Sequence, residues 1–264
     1  MAEPGLTIAD IRTLLPKEKK AMERNELWGH WVFRPVSYYP TWLFLKLGIS
    51  ANGATIMSFI LGLIGCALLA FSNYIGIIIG AVLINLWALL DFVDGNIARY
   101  FGSGTKCGAF IDNANGLIVS SLFFLSAGIG AFHHGDLFFF WLSQSVLRTD
   151  FNNAIFIMLG GWTSLSYIYP RFIADEFAKV FSREQGGLFD EFRGKTFSSI
   201  LYKKIHRNLN ITTGLVMPAL LLAAIFNCLG SLVLIWALIT TSATLVILVK
   251  LIREAGSQNV SERK

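Results

Sequence analysis

Long apolar stretches alternate with short polar ones along this chain, at about 54–72, 75–93, 109–132, 151–170, 212–228 and 231–249. Each is close to the ~20 apolar residues that a helix needs to cross the core of a bilayer. Soluble domains carry roughly 25% charged residues. Here the figure is 15%, against 54% hydrophobic residues and a mean hydropathy of +0.58. So few charges cannot solvate a globule of 264 residues. The composition excludes disorder, a collagen-like rod and a disulfide scaffold. The fold class it implies is all-α: a polytopic membrane protein of about six transmembrane helices. A signal peptide is not expected, because the first apolar run opens near residue 54, behind a charged, Trp-rich segment.

The net charge of +5 does not point to nucleic acid, because its distribution follows the apolar runs. An even number of spans places both termini on one side, and every Lys and Arg except Arg148 falls on that side. The opposite turns, near Ser72–Asn73, His133–Asp136 and Asn227–Ser231, carry none. This asymmetry predicts cytoplasmic termini and attraction to anionic lipid headgroups. Cys66, Cys107 and Cys228 have no metal-ligand spacing and read as free thiols.

Residues 1–50 form a juxtamembrane segment, with an apolar pattern at Ile8, Ile11, Leu14 and Leu15 that predicts a short amphipathic helix. Within 27–48, Trp28, Trp31, Tyr38, Tyr39 and Trp42 mix with Arg34 and Lys46, while Pro35 and Pro40 argue against an unbroken span. Such amphipathic aromatics favour the membrane–water boundary, and the segment reads as an interfacial anchor without chemistry. Residues 51–253 make one transmembrane domain with a cytoplasmic insert at about 171–210, followed by a tail at 254–264. The fourth span has two readings. Either it runs 151–170, with 137–149 interfacial, or Arg148 and Asp150 lie inside the membrane, where ionisable groups mark function.

The chemistry concentrates in residues 91–116, DFVDGNIARYFGSGTKCGAFIDNANG. Asp91 and Asp94 are one helical turn apart at the cytoplasmic end of the second span, and Asp112 lies about one turn into the third. Carboxylates at one membrane depth suggest an oxygen-ligand divalent cation site. Mg²⁺ or Mn²⁺ suits it better than zinc, since no His or Cys takes part. Gly95 and Ala98 leave room beside the carboxylates, Arg99 supplies a planar fork for phosphate oxygens, and Gly102, Gly104 and Gly108 permit close approach. A cation site, a guanidinium and a small-residue cleft together describe a place for a diphosphate at the membrane surface.

The pattern Asp91-x-x-Asp94-Gly95-x-x-Ala98-Arg99, then eight residues, then Gly108-x-x-x-Asp112 resembles the signature of the CDP-alcohol phosphotransferase family. The six-span layout and the Asn52-x-x-Thr55 start of the first span extend the likeness. The resemblance implies an integral membrane enzyme that moves a phospho-alcohol group from a CDP-alcohol, such as CDP-diacylglycerol, to a lipid or a small anionic or alcohol acceptor, releasing CMP. It makes Asp91, Asp94 and Asp112 metal ligands, with Asp112 and Arg99 taking part in catalysis. Asn52, Gly95, Ala98, Arg99 and Gly108 would line the CDP pocket. It also allows a homodimer among membrane lipids.

One position departs from the family pattern. Where a fourth Asp serves as general base, this chain has Gly116. Three accounts stand: an acceptor that is already anionic, another group taking the proton, or a catalytically impaired binder of nucleotide or lipid. A cation transporter is a further alternative, but transport does not require Gly95, Ala98 and Arg99. Elsewhere, His133, His134 and Asp136 read as a solvated outer turn, and His30 as part of the interfacial segment. His206 could face the cleft, and Lys203, Lys204 and Arg207 around it could meet an acidic acceptor or lipid phosphate.

Overall fold

A computed structural model describes residues 5–144, 152–180 and 213–262. The expectations for Arg148, Asp150, Lys203, Lys204, His206 and Arg207 lie outside the described residues. The described helices are α1 (Ile8–Thr13), α2 (Lys17–Glu23), α3 (Arg34–Lys46), α4 (Ala51–Phe71), α5 (Tyr74–Phe101), α6 (Lys106–His134), α7 (Leu137–Leu142), α8 (Ala154–Val180), α9 (Val216–Ile225) and α10 (Leu229–Glu262). A π-helical turn, Gly29–Phe33, leads into α3. The all-α expectation holds, with no strand among the described residues.

Four of these helices are long and apolar enough to cross a membrane: Ala51–Phe71, Tyr74–Phe101, Lys106–His134 and, within α10, Leu229–Gly256. The fourth and fifth expected spans fall on α8 and α9, which do not combine that length with that hydropathy. The packing forms a closed ring in the order α9, α5, α4, α6, α8, α10, with α10 returning to α9. Contacts such as Thr55 with Asp94, Thr55 with Asn115 and Tyr74 with Ile225 give the helices alternating directions. The starts of α4 and α6 and the end of α5 therefore share one end of the bundle.

Lipid tails are as apolar as leucine, so helices in a bilayer associate by close packing rather than by hydrophobic exclusion. Glycine supplies that closeness here. A Cβ on Gly80 would stand 2.9 Å from Gly65 O, and one on Gly160 would stand 2.7 Å from Phe124 O. Side chains on Gly128 and Gly130 would collide with the backbone oxygens of Phe156 and Leu69. Between these seams Trp87, Phe123, Phe124, Phe156 and Met217 are fully buried.

The starts of α4, α5 and α6 are capped by short polar side chains, which satisfy backbone donors that the helix leaves free. Ser50 accepts from Gly53 N–H, Asn73 from Gly76 N–H and Thr105 from Gly108 N–H. Gly102, with φ of 58°, ends α5 in the left-handed region that favours glycine. At the far end His133 is exposed as expected, but Asp136 is not. Asp136 is buried and accepts from Phe139 N–H, Ser231 N–H and the Ser231 hydroxyl, while His134 Nε2 lies 2.7 Å from Ser72 O.

The amino-terminal segment packs onto the bundle, which corrects its reading as a headgroup anchor alone. α3 lies against α5 and buries Arg34, Ser37, Tyr38, Thr41, Phe44 and Leu45. Pro35 stands where the π-helical turn passes into α3, and Pro40 is carried inside the helix. α1 is tied on by Trp42 Nε1–H donating to Leu6 O at 3.0 Å and by Arg12 stacked 5.5 Å from the Tyr38 ring. At the other terminus α10 continues as helix to Glu262, so most of the expected tail extends the last helix.

Candidate active site

The closing turns of α5 carry Asp91, Asp94, Gly95, Asn96, Ala98 and Arg99, and each meets a different neighbour. Asp94 is buried, and its Oδ2 accepts from the Thr55 hydroxyl of α4 at 2.7 Å. Asp91 turns instead to α6, where its carboxyl meets that of Asp112. Asp112 Oδ1 is buried and has no hydrogen-bond partner. A buried, unpartnered carboxylate oxygen is costly unless something outside the protein's own side chains satisfies it.

The guanidinium of Arg99 folds back over Gly95, with Nη2 3.3 Å and Nη1 3.4 Å from where a Cβ would stand. Ala98 O accepts from Ser103 N–H at 3.0 Å as α5 ends. Gly108 faces Asn52: a Cβ there would lie 3.1 Å from Asn52 Oδ1 and 3.1 Å from Thr105 Oγ1. Asn52 and Thr55 are one turn apart on α4, as Gly108 and Asp112 are on α6. The structure thus brings the expected site residues to one end of the bundle, in two layers. Asn52 and Gly108 are outermost, with the carboxylates about one turn deeper.

Several neighbours have no counterpart in the sequence reading. Asn96 is buried, and its Oδ1 accepts from Arg34 Nη1 at 2.9 Å and from Arg99 Nη2 at 2.8 Å. Arg34 pairs with Glu23 through Nε at 2.7 Å and through Nη2. Lys19 of α2 feels Asp91 and Asp112. Burial, then the nearby cations Arg99 and Arg34, lower its pKa, with Glu23 and Asp91 opposing. The signal for Arg34 was present in the spacing: Arg34, Ser37 and Thr41 fall on one helix face. Nothing in the sequence pairs that face with Asn96.

Asn115, the polar neighbour of Gly116, faces inward. It accepts from Trp87 Nε1–H at 3.1 Å and donates to Ser58 Oγ at 2.8 Å. Asn113 donates back to Ala109 O at 2.9 Å. A Cβ added at Gly116 would meet nothing within 4 Å.

Among the described residues, no three His, Cys, Asp or Glu side chains converge closely enough to hold a metal ion as they stand. The donor chemistry nevertheless fits an oxygen-seeking divalent cation. The carboxyl groups of Asp91 and Asp112 come together, and Asp112 Oδ1 lacks a partner.

A ring of helices, four of them able to cross a membrane, with carboxylates, a guanidinium and glycines gathered at one end, describes an integral membrane protein. Residues 49–243 match the CDP-alcohol phosphatidyltransferase family model, and the chain belongs to that family. Family membership makes it one of the membrane phosphotransferases. No curated protein matches the chain.

Proposed function

We propose that the protein transfers a phospho-alcohol group from a CDP-alcohol to an acceptor and releases CMP, at a cytoplasmic site formed by Asp91, Asp94 and Asp112 with Asn52, Gly95, Ala98, Arg99 and Gly108. The observation that carries this reading is the buried Oδ1 of Asp112, which no group of the protein satisfies. A structural carboxylate would have found a donor. A ligand carboxylate is kept free.

Asp91, Asp94 and Asp112 would hold Mg²⁺ or Mn²⁺, with Asp94 shared with the Thr55 hydroxyl. When bound, such a cation neutralises diphosphate charge and stabilises the leaving CMP. The chain's own residues do the rest. Arg99, lying over Gly95, presents its fork to phosphate oxygens where no side chain intervenes. Asn52 and Gly108 form the outer wall on the nucleotide side. In the reaction the acceptor oxygen bonds to the phosphorus that bears the alcohol, and the anhydride bond to CMP breaks. Water exclusion at the bilayer edge strengthens each of these polar contacts.

Neither Asn113 nor Asn115 replaces the absent carboxylate at Gly116, since both amides are engaged elsewhere. The reading therefore takes an acceptor that is already anionic, or one whose proton leaves by a group off this face of α6. The test is release of labelled CMP from CDP-diacylglycerol by reconstituted protein, with phosphate, phosphonate, carboxylate and neutral alcohol acceptors. Release that depends on acceptor and disappears in Asp91→Asn supports the proposal. CDP binding with no CMP release for any acceptor favours a nucleotide binder.

A further inference from the structure

We infer that Asn96, held by the amino-terminal residues Arg34, Ser37 and Thr41, is the positioning residue that aims Arg99 at the diphosphate. This inference rests on the function proposed above. The argument is one of complete hydrogen-bond accounting. An Asn side chain offers two acceptor lone pairs and two donor hydrogens. Asn96 uses all four: Oδ1 accepts from Arg34 Nη1 at 2.9 Å and Arg99 Nη2 at 2.8 Å, while Nδ2 donates to Thr41 Oγ1 at 3.0 Å and Ser37 Oγ at 3.3 Å.

The orientation of that amide is not free. The Thr41 and Ser37 hydroxyls spend their own protons on Ser37 O at 2.7 Å and Arg34 O at 2.9 Å. They can therefore only accept from Asn96, which forces Nδ2 toward α3 and Oδ1 toward the two guanidiniums. Arg34 is in turn fixed by the Glu23 carboxylate and by the Phe92 ring, 4.5 Å from its guanidinium carbon. All three nitrogens of Arg34 are thus engaged within the protein. Its role is to hold one lone pair of Asn96 Oδ1.

A buried ion pair seldom repays its desolvation, and the Glu23–Arg34 pair is buried on both sides. Here it keeps Arg34 neutralised while Arg34 shares an oxygen with a second arginine. Arg99 is left with one nitrogen tethered and the remainder of its fork lying over Gly95. A flexible side chain at the membrane surface becomes a pre-aimed one, which saves ordering cost when a phosphate binds.

The test is a double-mutant cycle on the full chain in lipid nanodiscs, reading CDP affinity by calorimetry with Mg²⁺ or Mn²⁺ present, and the KM values of donor and acceptor where turnover is found. Asn96→Ala should weaken CDP binding about tenfold, the loss that follows removal of a hydrogen bond to a charged group. It should raise the donor KM and leave the acceptor KM in place. In an Arg99→Ala background the same substitution should have no further effect on CDP affinity. Thr41→Val, which removes a single anchor, should give a smaller loss with the same dependence on Arg99, and serves if Asn96→Ala does not fold. Equal effects with and without Arg99, or unchanged CDP affinity in folded Asn96→Ala and Thr41→Val, would overturn the inference while leaving the proposed function standing. Wild-type protein that binds no CDP would remove both.

Discussion

Asn52 Oδ1 stands over Gly108, so that a methyl group on that glycine would come within 3.1 Å of it. Residues far apart in the chain thereby close the outer layer of the site, across the first turns of α4 and α6. The contact depends on one hydrogen in place of a side chain.

Gly108→Ala should push Asn52 aside and press on the Thr105 cap of α6. Loosening an N-cap costs about 1 kcal/mol, so thermal unfolding should shift only modestly. CDP affinity measured by calorimetry should fall further than stability does. Adding Asn52→Ala removes the obstructing amide and should make the two changes less than additive. An unchanged affinity in Gly108→Ala would place Asn52 outside the nucleotide wall.

Asp112→Asn keeps the shape of a side chain whose Oδ1 the protein does not use. Stability in EDTA should therefore be preserved or improved, because the repulsion between Asp91 and Asp112 is relieved. Cation-dependent CDP binding should be lost, and wild-type protein in EDTA should behave alike. Calorimetry giving equal CDP affinity with EDTA and with Mg²⁺ or Mn²⁺ would count against a cation at this site.

Arg99→Lys keeps the charge and loses the fork. An ammonium cannot both reach Asn96 Oδ1 and make paired contacts with a phosphate. The expected loss of CDP affinity is ~1.5–3 kcal/mol, the range for a charge-assisted hydrogen bond. Equal affinity in the variant would assign Arg99 to topology alone.

Gly116→Asp separates acceptor classes by sign. Space is open at this position, so the fold should tolerate the side chain. With a neutral alcohol acceptor the new carboxylate should restore base catalysis and raise turnover by ~10²-fold or more. With an anionic acceptor it should repel the substrate, and the loss should appear in acceptor KM. The measurement is CMP release across the two acceptor classes.

The site was legible where function fixes residue type at short spacing. Asp91, Asp94, Gly95, Arg99, Gly108 and Asp112 stand out because their residue types and short spacing together match the family pattern. Asn96 and Arg34 did not, for the opposite reason. An Asn inside the motif and an Arg among tryptophans each fit several bland roles, and only the approach of α3 to α5 selects among them. The spans were legible from hydropathy, but their ends were set by capping. α10 continues to Glu262 although apolarity fades near residue 249, and no proline interrupts that stretch. Asp136 misled in the same way: a carboxylate in an outer turn reads as solvated until the start of α10 is brought against it.

The glycine seams carry a mechanical consequence. α4 meets α5 at Gly65 and Gly80, α6 meets α4 at Leu69 and Gly130, and α8 meets α6 at Gly128 and Gly160, each with backbone against backbone. Helices joined through long side chains can slide by repacking rotamers, whereas helices touching at carbonyl oxygens have no rotamers to repack at that point. A rocking cycle that exposed the carboxylates first to one face of the membrane and then to the other would have to open three such junctions together. The bundle is a clamped frame, and the expected site residues lie at one end of it.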